Sequence, residues 1–538
     1  MKRKITALIL ILFIAFGYSL NAQNPVSITP RDWHMMDFQQ DHVYGISIEK
    51  AYTELLKNKK STPVVVAIID SGIDTLHEDL RSVIWHNPRE IVNGLDNDND
   101  GYVGDIFGWN FIGSKDPSKN VTKDTEESLR VYYKYKDKFA NISSEDQLSK
   151  KDREPFRVWQ RSKTVVLQAT KEQRNINALT NAQKLYNEYN SLFQKELNKD
   201  TYTLSDLKAY QTKDEQKAIS QRNYISMFRV SKTDTTNSLL IIKIAHMIDS
   251  LKPLVKLPET PIVNYRDDIV GDNYADLSDR FYGNNNVMGG DHRHGTHVAG
   301  IIGAARNNGV GMNGIADNVK IMMIRAVPDG DEHDKDIALA IRYAVDHGAK
   351  IINMSFGKPF SPEQNWVEKA FRYAAKKDVL IVKAAGNDSK DIDVEPSFPT
   401  TRYIKGDKKA PNVLTVGASG ATMKTIIAAF SNYGKTMVDV FAPGVRIYST
   451  VPGNKTYSAM SGTSMASPVV AGLSAVLKSY FPKLSAKQIK WVIEESVVKI
   501  NEPVKKPGTT EQVAMTELCH TGGIVNAYNA IKLAETIK

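Results

Sequence analysis

Three short segments, far apart in the chain, carry the residue types that an activated serine nucleophile requires. They are IDSGID at residues 69–74, HGTHVAG at 294–300 and GTSMASP at 462–468. Ser464 would attack a carbonyl carbon, His294 would take the serine proton, and Asp70 would hold the imidazole in the correct tautomer. The order Asp, His, Ser is one of the chain orders in which such triads are found. The segments therefore predict acyl transfer through a serine nucleophile.

Two of these motifs allow more than one interpretation of the residue that acts. His292 and His297 flank His294, but Gly295 lets the chain approach closely where a helix would begin. This favours His294 as the base, whereas His297 would point into the packing of that helix. Ser464 taken alone would be an ordinary helix N-cap. Beside the other two motifs, it is predicted to be the nucleophile.

A fourth polar residue follows another predicted strand. Asn387 ends the segment AAGN at residues 384–387. Its amide is suited to donate a hydrogen bond to the oxyanion that forms when a serine attacks a carbonyl group. The backbone N–H of Ser464 would be the second donor. The alternative is an asparagine that only stabilises a turn after a glycine.

An acidic loop offers a possible metal site. Residues 96–105 read DNDNDGYVGD, so carboxylate and amide side chains alternate before a glycine. Calcium binds about six to eight oxygen ligands, and a loop of this kind can supply several of them. The final glutamate of an EF-hand is missing, and the alternative is a solvated acidic turn. The predicted ligands of a structural calcium ion are Asp96, Asp98, Asp100 and Asp105.

Buried strands must position the candidate residues. Five apolar runs are predicted strands: residues 63–70, 320–325, 349–354, 379–382 and 413–417. Runs without polar alternation are typical of parallel strands that are buried on both faces, and helical patterns lie between them. We therefore predict an α/β fold with a doubly wound, mostly parallel sheet whose ligand site lies at the carboxyl ends of the strands. Asp70, Ser355 and Asn387 lie at or just past such ends.

The composition changes in the middle of the chain. Residues 114–270 contain no glycine, although the full chain has 33, and apolar residues recur there at helical spacing. We predict a mostly helical insertion of three or four helices over residues 113–271. Breaks are expected near Pro155, Lys199 and residues 233–236. The basic residues concentrate in this segment, which is typical of a solvated helical surface.

The first residues resemble an export signal. Lys2, Arg3 and Lys4 precede an apolar run at residues 5–17, and a small residue, Ala22, follows. This pattern predicts a signal peptide at residues 1–22 and a periplasmic, outer-envelope or extracellular protein of a bacterium. The run is shorter than the ~20 residues of a membrane span, and we expect no span after signal removal. The single cysteine, Cys519, excludes an intramolecular disulfide, and the net charge of +9 gives no reason to expect a nucleic-acid partner.

Together the motifs resemble the subtilisin-like serine proteases, the subtilase family. The resemblance covers about residues 28–112 and 272–535, and the segments AGN at 385–387, FSNYG at 430–434 and APG at 442–444 add to the three catalytic motifs. It implies a secreted serine endopeptidase that acts on peptide or protein substrates. The implied domains are a subtilisin-like catalytic domain at residues 23–112 and 272–538 and the insertion at 113–271.

The resemblance also implies a substrate cleft. Its walls would be two segments, Ser355, Phe356 and Gly357 on one side and Ala384, Ala385 and Gly386 on the other. Peptides would bind there as an added strand, mainly through main-chain groups. The alternative function is a catalytically silent envelope binding or scaffold protein that acts through the helical insertion. The joint presence of Asp70, His294, Asn387 and Ser464 argues against it, because such a protein would need none of them.

Overall fold

The computed structural model describes residues 29–229, 236–255, 262–406 and 408–537. The predicted signal peptide, residues 1–22, lies outside the described residues. The chain divides into two compact units. Val131–Pro261 form one of them, the helical unit, and Thr29–Arg130 together with Ile262–Lys538 form the other, the sheet unit.

The sheet unit is built on a nine-stranded sheet. Its order is β10-β13-β7-β6-β5-β4-β1-β3-β2, and β8–β9 and β11–β12 form two small antiparallel pairs. Only β10 and β13 pair antiparallel within the large sheet. The strands are β1 Val64–Asp70, β2 Gly108–Asn110, β3 Val319–Arg325, β4 Ile351–Met354, β5 Leu380–Ala384, β6 Val413–Ser419, β7 Val440–Pro443, β8 Ile447–Thr450, β9 Tyr457–Met460, β10 Val498–Lys499, β11 Val504–Lys505, β12 Gln512–Val513 and β13 Gly523–Ile524. The predicted mostly parallel α/β sheet is confirmed.

Helices cover both faces of this sheet. The helices of the described residues are α1 Phe38–Asp41, α2 Ile48–Glu54, α3 Glu127–Phe139, α4 Lys150–Gln168, α5 Lys171–Leu197, α6 Leu204–Ala209, α7 Glu215–Arg229, α8 Asn237–Leu251, α9 Asp267–Val270, α10 Arg293–Gly303, α11 Asp334–Asp346, α12 Gln364–Lys376, α13 Thr463–Tyr480, α14 Ala486–Glu495 and α15 Ala527–Glu535. Within the described ranges, none of them combines the length and apolarity needed to cross a bilayer.

The two-sided burial of β1 shows why the central strands are apolar throughout. Val66 and Ile68 pack into one apolar cluster together with residues of α10 and α13. Ala67 and Ile69 point the other way, into a second cluster with residues of α11 and α12. Successive side chains of a strand face opposite sides of a sheet, so an apolar residue is needed at every position. Each fully buried Val or Ile contributes roughly 1.5–3 kcal/mol.

The parallel arrangement brings three candidate residues to one edge of the sheet. β5, β4 and β1 are consecutive in the sheet order, and they end just before Asn387, Ser355 and at Asp70 respectively. Ile69 is in register with Met354, and Met354 with Lys383. The residues that follow these pairs therefore lie about 4.8 Å apart from strand to strand.

The helical unit has a core of its own. Tyr186, Phe193, Tyr202 and Tyr224 are buried in one apolar cluster, and the Tyr202 hydroxyl donates to that of Tyr224 at 2.9 Å. The predicted three or four helices are too few, because α4 and α5 are separate and α6 is an additional short helix. The predicted break near Pro155 is also wrong. Pro155 is the sixth residue of α4, and the helix continues through it to Gln168 although the missing N–H removes one intrahelical hydrogen bond.

Other expectations for this region are met or lie outside the described residues. The chain breaks between α5 and α6, as expected near Lys199. Most of the predicted break at 233–236 falls on residues 230–235, which are not described. The compact helical unit is also shorter than the predicted insertion of 113–271. The backbone N–H of Asp124 donates to the backbone oxygen of Asp329, and Nη1 of Arg130 donates to that of Asp331. Residues up to 130 therefore belong to the sheet unit.

Candidate active site

Asp70 and His294 are joined directly. His294 is the second residue of α10, and its Nδ1 lies 2.7 Å from Oδ1 of Asp70 at the end of β1. The same oxygen accepts the N–H of Ser71 at 2.7 Å. The side chain of Asp70 is 2% exposed, whereas that of His294 is 34% exposed. The carboxylate is therefore fixed in the interior and the imidazole reaches the surface.

The environment of His294 favours its protonated form. Burial by itself lowers the pKa of His294, but the negative charge of Asp70 and the hydrogen bond to it raise the pKa more. The net pKa lies above the ordinary value of 6.5. An imidazole of this kind can hold a proton that it has taken from a neighbouring hydroxyl.

Ser464 lies in the first turn of α13, beside the end of β4. Its Oγ donates to the backbone oxygen of Ser355 at 3.0 Å, and Oγ of Ser355 donates back to the backbone oxygen of Ser464 at 3.0 Å. Among the described residues, no hydrogen bond joins Ser464 directly to His294. Ser355 is thus the residue that ties the helix carrying the serine to the sheet edge beside Asp70.

A series of buried side-chain hydrogen bonds holds Ser355 in place. Ser467 donates to Oδ1 of Asn353 at 2.8 Å, and Nδ2 of Asn353 donates to Oγ of Ser355 at 2.9 Å. Asn353 is fully buried inside β4. Sequence reasoning missed this residue, although a lone asparagine in an otherwise apolar strand run was a signal. These hydrogen bonds fix the side chain of Ser355, which in turn fixes the start of α13.

Asn387 is held by one atom and leaves the other available. Its Oδ1 accepts the N–H of Thr463 at 2.8 Å and the hydroxyl of Thr463 at 3.0 Å. The amide nitrogen Nδ2 makes no hydrogen bond to any of the described residues, and the side chain is exposed. Thr463 precedes Ser464 directly, so the free amide lies beside the first turn of α13. The fixed Oδ1 orients Nδ2, which is the donor that an oxyanion needs.

The two predicted cleft segments approach each other around Ser397. A side chain at Gly357 would lie 3.1 Å from Oγ of Ser397, and one at Gly386 would lie 3.8 Å from the same atom. Gly386 has φ +105° and would meet Asn432 at 2.3 Å if it carried a Cβ, so only glycine fits there. Ser355, Ala384 and Ala385 are buried, whereas Phe356 and Gly386 are half-buried and Gly357 is exposed.

His297 has a different environment from His294. It is fully buried, and its Nε2 lies 3.1 Å from the backbone oxygen of Ser458. Burial lowers the pKa of His297 to about 4. It therefore stays neutral at ordinary pH and packs inside the structure, as expected from the sequence.

The acidic loop brings some of the predicted calcium ligands together. Ligand oxygens of Glu90, Asp96 and Asp98 lie within 4.8 Å of one another. Oε2 of Glu90 and Oδ1 of Asp98 are buried and have no hydrogen-bond partner among the described residues. Unpaired buried carboxylate oxygens are costly unless a cation or a donor faces them. This group fits a hard cation such as calcium, and Glu90 is a member that the sequence analysis missed.

The other two predicted ligands lie outside this group, and Asp100 forms a second possible ligand group with Asp98 and His347. Asp100 lies 2.6 Å from Nε2 of His347 and accepts the N–H of Tyr102. Asp105 accepts hydrogen bonds from Asn87 and from the hydroxyl of Tyr343. Burial raises the pKa of Asp105 to about 7 against these hydrogen bonds. Both oxygens of Asp105 are therefore occupied by protein donors.

Comparisons with known proteins show the family to which the chain belongs. The family model of the subtilase family matches residues 61–516. The thermophilic serine proteinase of Bacillus sp. (strain AK1) is 39% identical over 239 residues, which are 44% of this chain and 52% of that protein. The cell wall-associated protease of Bacillus subtilis (strain 168) is 38% identical over 250 residues, 46% of this chain and 26% of that protein.

A third relative is matched over most of its length. Thermitase of Thermoactinomyces vulgaris is 33% identical over 270 residues, which are 49% of this chain and 85% of thermitase. The match to the first relative spans only about half of that protein's length. The family model nevertheless covers most of this chain. The chain belongs to the subtilase family.

Proposed function

We propose that this protein is a serine endopeptidase in which Asp70, His294 and Ser464 form the catalytic triad. The observation that carries the proposal is the 2.7 Å contact between Asp70 and Nδ1 of His294. With Nδ1–H donated to the carboxylate, Nε2 carries the lone pair that a general base needs. Two hydrogen bonds with Ser355 hold Ser464 beside the end of β4, the strand next to the one that ends at Asp70.

The reaction begins with a rotation of the Ser464 hydroxyl. It turns from the backbone oxygen of Ser355 to Nε2 of His294, which takes the proton as Oγ attacks the peptide carbonyl carbon. Asp70 stabilises the imidazolium. His294 then gives the proton to the leaving amine, the C–N bond breaks, and a water molecule repeats the sequence on the acyl group.

The oxyanion has two candidate donors. Nδ2 of Asn387 has no hydrogen-bond partner among the residues that the structure describes, while its Oδ1 is fixed by Thr463. The N–H of Ser464 lies in the first turn of α13, where the helix leaves backbone donors unpaired. The positive end of the helix dipole lies at the same place. A peptide or protein substrate would run between residues 355–357 and 384–386, where glycines leave the main chain accessible.

The structural cation is proposed to be calcium held by Glu90, Asp96 and Asp98. The two unpaired carboxylate oxygens support this set. The ion would neutralise the repulsion between three carboxylates and stabilise the loop. It has no part in the proposed catalytic steps.

Export from a bacterial cell is a further part of the proposal. It is supported by the basic and then apolar sequence of residues 1–22. One relative is named as a cell wall-associated protease. Cleavage near Ala22 would leave the sheet unit and the helical unit as the mature protein.

The first prediction tests the nucleophile. Ser464→Ala should abolish hydrolysis of an unfolded protein substrate, with a loss on the order of 10⁴–10⁶ in kcat, while the melting temperature changes little. A fluorophosphonate probe should label the wild-type protein and not the variant. Ser461→Ala, an exposed serine three residues earlier, is the matched control and should keep both activities. Full activity of purified Ser464→Ala would overturn the proposal.

A further inference from the structure

A buried lysine follows the substrate cleft directly. Lys358 comes after Gly357, and its side chain is only 1% exposed. Its Nζ donates to Oε2 of Glu127 at 2.8 Å and to the backbone oxygen of Glu332 at 2.7 Å. Oδ1 of Asp334 lies 2.9 Å away. The ammonium group thus has three oxygen partners, which match its three donors.

The backbone of Lys358 joins the two sides of this region. Its N–H donates to the oxygen of Phe398, and the N–H of Phe398 donates back, both at 2.9 Å. Ser397, the residue before Phe398, faces both Gly357 and Gly386. A displacement of Lys358 would therefore move the wall at 355–357 together with the segment at Ser397.

Lys358 has two charged partners, Asp334 and Glu127, and Glu127 is the first residue of α3. Glu127 is buried, its N–H donates to Asp331 at 2.7 Å, and its Oε2 also accepts Nη2 of Arg130 at 2.7 Å. Arg130 donates in turn to the backbone oxygens of Asp331 and Glu332. Lys358 and Arg130 hold the pKa of the Glu127 carboxyl well below its ordinary range, although burial opposes this. The first turn of α3 is therefore locked onto the loop behind the cleft.

Stability alone gives a poor account of this arrangement. Removing two charges from water is costly, and apolar side chains of similar volume often serve stability as well or better. A buried ion pair with directional hydrogen bonds does fix one geometry, because each partner accepts only a narrow range of positions. The pair lies behind a wall that must hold a peptide backbone within hydrogen-bond distance.

We propose that Glu127 and Lys358 are a positioning pair that sets the substrate-binding geometry of residues 355–357. The proposal rests on the proposed peptidase function and deepens it. Neither residue touches the reacting atoms. Glu127 acts through Lys358, and Lys358 acts through its own backbone on the cleft wall. Substrate binding, more than the chemical step, should therefore depend on the pair.

The experiment uses Glu127→Gln in the full-length protein. The neutral amide keeps the shape but loses the charge, so Lys358 is left with Asp334 and the oxygen of Glu332 and shifts toward them. We expect KM for a peptide substrate to rise by about tenfold or more, with a smaller change in kcat. The rate of labelling by a small fluorophosphonate, which needs the triad but not the extended cleft, should stay within about twofold of wild type.

Two further variants separate positioning from folding. Glu126→Gln changes an exposed acid in the preceding position and should leave KM, kcat and labelling unchanged. Glu127→Asp keeps the charge on a shorter side chain, and its KM should fall between those of wild type and Glu127→Gln. This partial rescue would not follow from a merely structural role, for which KM of the folded fraction stays constant.

The outcomes are distinguishable. A peptide KM of Glu127→Gln equal to that of wild type overturns the positioning role, and so does an equal loss of peptide hydrolysis and probe labelling. A wild-type protein that neither hydrolyses peptides nor reacts with the probe overturns the proposed function, and the positioning role falls with it. A raised KM with normal labelling supports both.

Discussion

At the scale of single residues, the charge of Asp70 controls the basicity of His294. His294 must be neutral to accept a proton, and its pKa lies above 6.5 because of Asp70. kcat/KM should therefore fall on the acid side with a midpoint above pH 6.5. Asp70→Asn removes the charge, so the midpoint should move down and kcat should drop by about 10⁴, the effect of this substitution in a Ser-His-Asp triad. A pH profile of peptide hydrolysis from pH 5 to 9 measures both effects.

His292→Gln is the control for this prediction. His292 neighbours the base, and its Nδ1 lies 3.2 Å from the oxygen of Gly290. The variant should keep the wild-type midpoint. If Asp70→Asn leaves the acid midpoint unchanged, His294 is not the titrating base.

Single residues were predictable where a local motif marks them. Asp70, His294 and Ser464 stand in short segments whose neighbours are informative, so sequence alone selects them. Thr463 and Asn353 carry no such mark, because their importance depends on partners more than 70 positions away in the chain. The role of Lys358 could not be predicted from the sequence either. Its role comes from Glu127 and Glu332, which only the fold brings to it.

At the scale of elements, the loop between β3 and α11 carries an acid that destabilises the folded state at high pH. Burial raises the pKa of Glu332 to about 8, against the attraction of Lys358. Its Oε1 is buried and unpaired among the described residues. The folded protein therefore keeps this proton up to about pH 8, while the unfolded chain loses it near its ordinary value of 4.5. Stability must fall as pH rises through this window.

Glu332→Gln should remove this dependence, because the amide stays neutral. We expect little change in the free energy of unfolding at pH 5 and an increase of about 1–3 kcal/mol at pH 9. Urea unfolding at the two pH values measures the difference. Glu126→Gln, at an exposed position, should follow the wild-type curve. A variant that loses stability equally at both pH values would show that Glu332 is ionised throughout.

Elements were predictable in proportion to their length and apolarity. The strand predicted at residues 63–70 is observed as Val64–Asp70, and that at 413–417 as Val413–Ser419. β10 and β13 have two residues each and carry no periodic pattern, so no signal existed for them. β5 extends to Ala384 through Lys383, a charged residue that is buried in the sheet. Sequence reasoning ended the strand before it because burial of a lysine is set by tertiary packing.

At the scale of the whole molecule, the proposed calcium ion should contribute to global stability. An ion that binds only the folded state stabilises it by mass action, by about 2.7 kcal/mol at a concentration 100 times Kd. A chelator should therefore lower the melting temperature of the wild-type protein. Glu90→Gln with Asp98→Asn should remove that sensitivity, because the two carboxylate oxygens without a hydrogen-bond partner among the described residues of this loop belong to Glu90 and Asp98. Differential scanning calorimetry with and without chelator measures it.

Asp105→Asn distinguishes the proposed ligand set of Glu90, Asp96 and Asp98 from the one expected from the sequence. Asp105 does not belong to the group formed by Glu90, Asp96 and Asp98, and its side chain is held by Asn87 and Tyr343, so this variant should remain sensitive to the chelator. Loss of sensitivity in Asp105→Asn would restore it as a ligand. If the melting temperature of the wild-type protein does not respond to the chelator, the loop is only an acidic turn.

The sheet unit is interrupted after Arg130 and resumes at Ile262. The hydroxyl of Thr125 donates to the oxygen of Val263 at 3.2 Å, so the two chain ends at Arg130 and Ile262 start from neighbouring places. A short linker can close such a gap at small entropic cost. Replacing residues 131–261 by a short Gly/Ser linker should therefore leave a folded protein. It should hydrolyse a short peptide with the wild-type kcat/KM.

A longer deletion is the matched comparison. Replacing residues 114–270 also removes Arg266, whose fully buried side chain pairs with Asp336 and Asp272, and Glu127, the partner of Lys358. Asp336 would then lose Arg266 and Lys358 would lose Glu127, and loss of one partner from a buried ion pair costs about 3–5 kcal/mol. This variant should melt far below the first one or fail to fold, as measured by circular dichroism. Equal behaviour of the two deletions would mean that residues 114–130 and 262–270 are not part of the sheet unit. The ion pairs at Lys358 and Asp336 would then make no measurable contribution to the stability of the folded protein.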